Sequence, residues 1–168
     1  GPTHHGFDEY FGVTGNTEDP LDTEPRILIR NDRFTFTDRS RMKLIGMKNR
    51  EGKILSAPDW DLSKLGPLYL KEAKDFLTRQ SNNPTQPFFL YYVPNANHFQ
   101  RNPNGDYAVP DQIAGTRIKG ESRYSDDSVA NDREDMVLEN DVVFGNLLET
   151  LKTKDDPRWA GHKLVENT

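Results

Sequence analysis

Four histidines are spread through this 168-residue chain, and one of them, His98, stands where an α/β sheet keeps its chemistry. It closes the stretch Pro87-Phe88-Phe89-Leu90-Tyr91-Tyr92-Val93-Pro94-Asn95-Ala96-Asn97-His98. Phe88 to Val93 is a short unbroken apolar run between two prolines, the pattern of a strand buried on both faces in a parallel sheet. Pro94 has no N–H to give, so regular pairing is expected to stop there. Ligands of open α/β sheets bind beyond the carboxyl ends of the strands, which is where Asn95, Asn97 and His98 fall. An imidazole in that place suits proton transfer near neutral pH. The plainer alternative is a hydrogen-bonded structural histidine at a strand end.

The other candidates read more weakly. His4 and His5 sit beside Asp8 in a glycine-rich, aromatic opening, but neighbouring residues rarely point at one ion together. A loop with its glycines at turns and its aromatic rings packed inward accounts for them. Asp141 falls on the apolar stripe of a helix, and a carboxylate on a buried face needs partners; it reads as a structural residue near the site. His162 reads as a surface polar residue. Arg39, Arg41, Lys43, Lys48, Arg50 and Lys53 form a run of six cations interrupted only by Glu51 among charged residues. Such runs are usually solvated faces, with an anion-facing patch as the alternative.

Bulk properties narrow the classes. A formal charge of −5 argues against general nucleic-acid binding, which favours a basic face. With no cysteine, disulfides, thiolate metal sites and cysteine nucleophiles are excluded within these residues. No run approaches the apolar length of a membrane span. Only 33% of residues are hydrophobic and mean hydropathy is −0.86, a thin supply for an independent core. Gly-rich phosphate loops, Gly-x-Ser-x-Gly elbows and His-Glu-x-x-His motifs do not occur.

The elements that must position His98 are expected in this order. Ile27 to Phe36 alternates on either side of Asn31-Asp32 and predicts a two-residue hairpin. Residues 38–66 show no sustained period and read as loop with short elements, including a polar turn at Arg50-Glu51-Gly52-Lys53. Pro67 to Gln80 predicts a helix with Tyr69, Ala73 and Phe76 on one face and Leu70 and Leu77 beside it. A short polar connection then enters the central strand, giving half of a parallel α/β unit. Asn95 to Ser128 is a long polar loop starting at that strand's carboxyl end. Asn131 to Leu151 predicts a second helix, capped by Asn131 with Glu134, whose core stripe is Val137, Phe144, Leu148 and Leu151, flanked by Met136, Val143 and Leu147.

Four blocks of this chain resemble the type I, formylglycine-dependent sulfatases. Pro2 to Gly12 is similar to their "P-x-x-H-G-F-D-x-F-x-G". Pro87 to His98 resembles "PFFLY-x-a-x-H-x-P-H", with His98 on the second histidine. Arg133 to Leu151 resembles the helix "R-x-x-Y-x-A-M-v-x-x-l-D-x-x-v-G-x-i-l-x-x-L", with Asp141, Gly145 and Leu151 on matching positions. Lys163 to Thr168 is similar to the "l-x-d-N-T" preceding the family's Ser-Asp-Asn-Gly strand.

The resemblance implies an α/β fold of alkaline-phosphatase type, a mainly parallel sheet flanked by helices with long loops. It implies hydrolysis of sulfate esters, on an aryl sulfate or a sulfated carbohydrate, by a hydrated formylglycine with a divalent cation, usually calcium. It also implies that His98 contacts sulfate and protonates the leaving oxygen, with Asn95 and Asn97 as substrate-binding neighbours. Members of the family are commonly periplasmic, secreted or lysosomal.

Departures accompany the match. Asn95 replaces the first histidine of "H-x-P-H" and Asn97 its proline, and an amide can donate a hydrogen bond but cannot shuttle a proton. The family's nucleophile motif, Cys-x-Pro-Ser-Arg, and its metal-ligating aspartates have no counterpart here. Residues 1–168 are therefore expected to be an internal segment of a sulfatase catalytic domain, incomplete at both ends. As an isolated segment it is expected to be inactive and to hold no metal of its own tightly. The alternatives are a phosphate or phosphonate ester hydrolase of the same superfamily, and a non-catalytic binder of sulfated glycans through the 39–53 cations.

Overall fold

In a computed structural model of the chain the described residues are 1–13, 26–47, 50–96, 109–122 and 132–167, with side chains described outside 45–47, 50–54 and 132. His98, Asn97 and the capping Asn131 lie outside the described residues. The chain divides into two compact units, residues 1–62 with 99–108, and residues 63–98 with 109–168.

In the first unit, Pro2–His5 is a 3-10 turn closed by Gly6 at φ 94, a left-handed cap that a residue without Cβ adopts freely. Strand β1 (Phe11–Val13) pairs antiparallel with β2 (Leu28–Arg30), which pairs with β3 (Arg33–Phe34). The β2–β3 connection is the hairpin expected at Asn31-Asp32, and Asn31 takes φ 59 there. Asn31 also ties the turn to β1: its Oδ1 accepts from Tyr10 N at 3.0 Å, and its own N–H donates to Tyr10 O at 2.7 Å.

Within residues 38–66 the short elements include a hairpin where a polar turn was expected. Strands β4 (Lys43–Met47) and β5 (Arg50–Ser56) form an antiparallel hairpin, with a register shift between Gly46 and Met47. Arg50 to Lys53 is thus strand, not turn. Polar residues with one glycine resemble turn chemistry, and only the pairing with Lys43–Met47 makes them a strand.

The second unit is built on two helices. Helix α1 (Leu65–Gln80) buries Leu65, Gly66, Leu70, Ala73 and Leu77, so the Leu70–Ala73–Leu77 row faces inward while Tyr69 and Phe76 are half-buried. Pro67 sits at its third position, still within the first turn, where helix N–H groups lack partners. Strands β6 (Gln112–Ile113) and β7 (Thr116–Arg117) make a small antiparallel ribbon within the region read as one long loop. Ala114 and Gly115 make its turn, both at positive φ.

Helix α2 (Asp132–Thr153) is where expectation and structure part most clearly. Val137 and Phe144 are exposed and Leu148 and Leu151 half-buried, so the expected stripe is not the core face. Asp141, expected on that buried face, is exposed. The buried residues are Asp135, Met136, Glu139, Val143, Leu147 and Thr150. The inward face of the helix carries two acids: Asp135 accepts from Gly120 and Ser122, and Glu139 lies against Gly66 of α1.

The expected mainly parallel sheet is not found among the described residues. Every ladder there is antiparallel, and the parallel pairing is an isolated bridge from Arg26 to Ser56. Phe88 to Val93 is extended but joins no ladder, so it is not the doubly buried strand expected. Its burial alternates: Phe88, Leu90 and Tyr92 are half-buried, while Phe89, Tyr91 and Val93 are exposed. A period of two is strand geometry with one face covered. No helix of the described residues is long and apolar enough to cross a membrane.

Candidate functional site

The extended run is held against α1 and the turn that carries Arg158 by its inward Phe88. Phe88 meets Phe76 of α1 edge to face, centroids 5.6 Å apart at 84°. The Arg158 guanidinium lies 5.9 Å from the Phe88 ring centre, within cation–π reach. Arg158 is itself fixed by the buried Asp156, with Nε to Oδ1 at 2.9 Å and a second nitrogen to Oδ2 at 3.1 Å. Asn167 donates to the same carboxylate at 3.2 Å. The guanidinium and backbone N–H of Arg158 hold the Asp156 carboxyl down at about 2. This planar, two-bond pairing orients Arg158 over Phe88.

Further along the run lies a small polar floor. Tyr92 points inward, its hydroxyl buried without a hydrogen-bond partner. Burial, and the nearby Glu139, push that phenol well above its ordinary range. Glu139 is buried on α2, and burial pushes its carboxyl up to about 8. Its carboxylate rests on Gly66 of α1, where an added Cβ would overlap Glu139 Oε1. The next residue, Asn140, donates from Nδ2 to the Ala96 carbonyl at 3.3 Å, while its Oδ1 is buried without a partner. The run and α2 thus turn a phenol, a carboxyl group and an amide inward, at Tyr92, Glu139 and Asn140.

Of the residues singled out from sequence, Asn95 is half-buried in that turn, and Asp141 faces outward one position past Asn140. Asn97 and His98, next along the sequence, lie outside the described residues. His4 and His5 are exposed in the opening 3-10 turn. His162 is half-buried, as a surface polar residue: its ring stacks on Trp159 at 3.5 Å and Nδ1 meets Glu166 Oε2 at 2.8 Å. That contact lowers the Glu166 carboxyl. Among the cations, Arg39, Arg41 and Lys43 are exposed, and Arg41 lies 5.7 Å from the Phe36 ring centre. Among the described residues, no group of three or more His, Asp or Glu side chains stands together as a metal site.

Glu139 and Asn140 are not singled out by apolar patterning. A signal exists in the sequence all the same: Asp135, Glu139, Val143 and Leu147 recur every four residues, the spacing of one helix face. Reading it requires accepting two carboxylates on the inward side.

The Sulfatase family model matches residues 1–159. N-acetylgalactosamine-6-sulfatase of Homo sapiens is 33% identical over 154 residues, covering 90% of this chain and 24% of that protein. The Rattus norvegicus protein of the same name is 31% identical over the same length, with the same coverage. The chain thus spans about a quarter of the length of these relatives, 24% of each. No solved structure matches the chain.

Proposed function

This chain belongs to the sulfatase family, and from that premise we propose that it forms an internal part of the catalytic domain of an enzyme that hydrolyses sulfate esters. Family membership carries an alkaline-phosphatase-like α/β fold. We place Phe88–Val93 in the sheet of that fold; its period-two burial supports a strand, with the outward face to be covered by the rest of the protein. The relatives' name, N-acetylgalactosamine-6-sulfatase, favours a sulfated carbohydrate over an aryl sulfate as the substrate.

The observation that carries the reading is the family match across residues 1–159, which spans the run ending at His98. In this reading His98 donates a proton to the leaving oxygen as the sulfur–oxygen bond breaks. An imidazole can hold that proton near neutral pH, and an alcohol leaves far more readily than an alkoxide. Asn95 and Asn97 donate hydrogen bonds to the substrate from their amides. The nucleophile, a formylglycine, lies outside these residues, which contain no cysteine.

Sulfatases generally use a divalent cation, calcium in this reading, which stabilises negative charge on sulfate oxygens. The described residues supply no donor set that fits one. No step of this reading runs through the cation, and tight calcium binding is not assigned to residues 1–168.

The test is His98→Ala in the full-length enzyme, assayed on sulfate and phosphate esters of the same alcohol. Loss of a positioned general acid lowers kcat by about 10²–10⁴-fold, and wild type should prefer the sulfate ester. Undiminished turnover in the variant would overturn the role of His98. Faster hydrolysis of the phosphate ester by wild type would move the protein to the phosphoesterase reading.

A further inference from the structure

Charge is unevenly spread along this chain. Residues 26–53 hold nine of its 22 lysines and arginines but three of its 27 acidic residues, a formal charge of +6 within a chain of −5. They fold into the β2–β3 and β4–β5 hairpins and the 3-10 turn Arg39–Arg41 between them, all within the first compact unit. Backbone bonds from Arg26 N to Leu55 O at 2.7 Å and from Ala57 N to Arg26 O at 3.0 Å join the two hairpins. Their cations therefore belong to one body. Arg30 and Arg33 stand directly opposite each other in the β2–β3 register, and both are exposed. Arg30 also lies 4.7 Å over the Phe11 ring, and Arg33 meets Asp32 at 3.7 Å. Arg39, Arg41 and Lys43 follow at every second residue, exposed on the 3-10 turn and the strand it enters. The acid beside them, Asp38, caps that turn: its Oδ1 accepts from Ser40 N at 3.1 Å and from the Ser40 hydroxyl at 2.6 Å. Like charges held this close repel. A face that meets only water is better served by mixed signs, whereas a polyanion relieves the repulsion.

We propose that this cationic part of the first unit is an exosite for a sulfated polysaccharide, the polymer whose sugar sulfates the enzyme cleaves, with Arg39, Arg41 and Lys43 at its centre. The proposal rests on the reading of the protein as a carbohydrate sulfatase. Such a polymer is negative at each sulfate, and the chain outside residues 26–53, with 24 of the 27 acids, opposes its approach. The exosite takes sulfate groups other than the one being hydrolysed. Guanidinium forks suit them, since each can pair with two oxygens of one sulfate. Its effect falls on capture of the polymer and not on the bond-breaking step. Nucleic acid is the other common polyanion, but it carries no sulfate ester for a sulfatase to act on.

The experiment uses the full-length enzyme and its triple variant Arg39→Gln, Arg41→Gln, Lys43→Gln, with the double variant Arg39→Lys, Arg41→Lys keeping the charge. Each is passed at low salt over dextran sulfate resin and over double-stranded DNA resin. Each is also assayed on a monosaccharide sulfate and on a polysaccharide bearing the same ester. Wild type should be held by dextran sulfate and released by salt, the triple variant should elute at lower salt, and the lysine variant should elute near wild type. In the triple variant KM for the polymer should rise about tenfold more than KM for the monosaccharide sulfate, with kcat on the polymer changed by less than about twofold. A triple variant that elutes with wild type, or equal KM changes on the two substrates, would overturn the proposal. Tighter retention of wild type on DNA than on dextran sulfate would overturn it too, and would assign the surface to nucleic acid. If wild type hydrolyses neither ester, the sulfatase reading fails, and the resins alone decide whether this surface binds a sulfated polymer.

Discussion

Glu139 is 4% exposed on the inward face of α2, and its carboxyl is pushed up from 4.5 to about 8 by burial. The folded protein therefore holds a proton that the unfolded chain releases. For a group raised in this way, the stability it contributes is complete below pH 4.5 and is lost as pH rises through about 8. Between those limits the unfolded state binds fewer protons, so stability falls with pH. A tenfold difference in proton affinity between the two states is worth roughly 1.4 kcal/mol, and the full loss is on the order of a few kcal/mol after relaxation of the site. Glu139→Gln keeps the shape and removes the ionisation. It is expected to match the wild type near pH 5 and to exceed it by about 1–3 kcal/mol near pH 8.5, measured by urea unfolding. Parallel pH dependence in the two proteins would remove Glu139 as the cause. Gly66 leaves the room the carboxyl occupies, since a Cβ there would overlap Glu139 Oε1.

Helix α2 holds its surroundings through acids. Asp135, 1% exposed, accepts from Gly120 N at 2.7 Å and from Ser122 N at 3.0 Å, and also from the Ser122 hydroxyl. These bonds tie the end of the 109–122 segment, with its buried Val109, Ile113 and Ile118, to the first turns of the helix. Asp135→Ala leaves two backbone donors without partners at a part-buried place, and is expected to destabilise by about 2–4 kcal/mol. Asp135→Asn, which can still accept but turns an amide toward one donor, should fall between. Thermal melts of the three proteins check the order; an alanine variant as stable as wild type would mean that water replaces the carboxylate.

The same helix shows what sequence could carry. Both helices and the Asn31 hairpin were legible, because apolar spacing and turn chemistry are local signals. The inward face of α2 was not. Met136, Val137, Val143, Phe144, Leu147, Leu148 and Leu151 surround much of the helix, so apolar spacing alone allows several orientations. Choosing among them depends on donors for Asp135 and on Gly66 opposite Glu139, and both are tertiary facts. The β4–β5 hairpin was hidden for a related reason, since Arg50-Glu51-Gly52-Lys53 becomes strand only by pairing. At the site, Asn140 gave no signal, because its partner is a backbone carbonyl 44 residues away.

The second unit leaves apolar side chains in water on two of its parts. Phe89 is 75% exposed, Tyr91 70% and Val93 57%, all on the outward face of one extended run, and Phe144 of α2 is 61% exposed. Single exposed apolar residues are ordinary, but three in strand alternation beside a backbone that joins no ladder are a template for pairing. The inward face of the run is already engaged by Phe76 and Arg158, so the outward face is what a second strand and a covering layer would take up. In the purified 168-residue chain that surface has other copies available to it. The chain is expected to self-associate with rising concentration and to bind a hydrophobic dye. Phe89→Lys with Tyr91→Lys changes only outward side chains, and charged residues on an exposed strand edge oppose edge-to-edge association. Sedimentation velocity on the double variant should show a monomer with unchanged helical circular dichroism. A wild-type chain that stays monomeric at every concentration reached would mean that this surface is satisfied within the chain itself. If the double variant associates as strongly as wild type, the contact must lie elsewhere, with Phe144 and Val137 on α2 as the next residues to change.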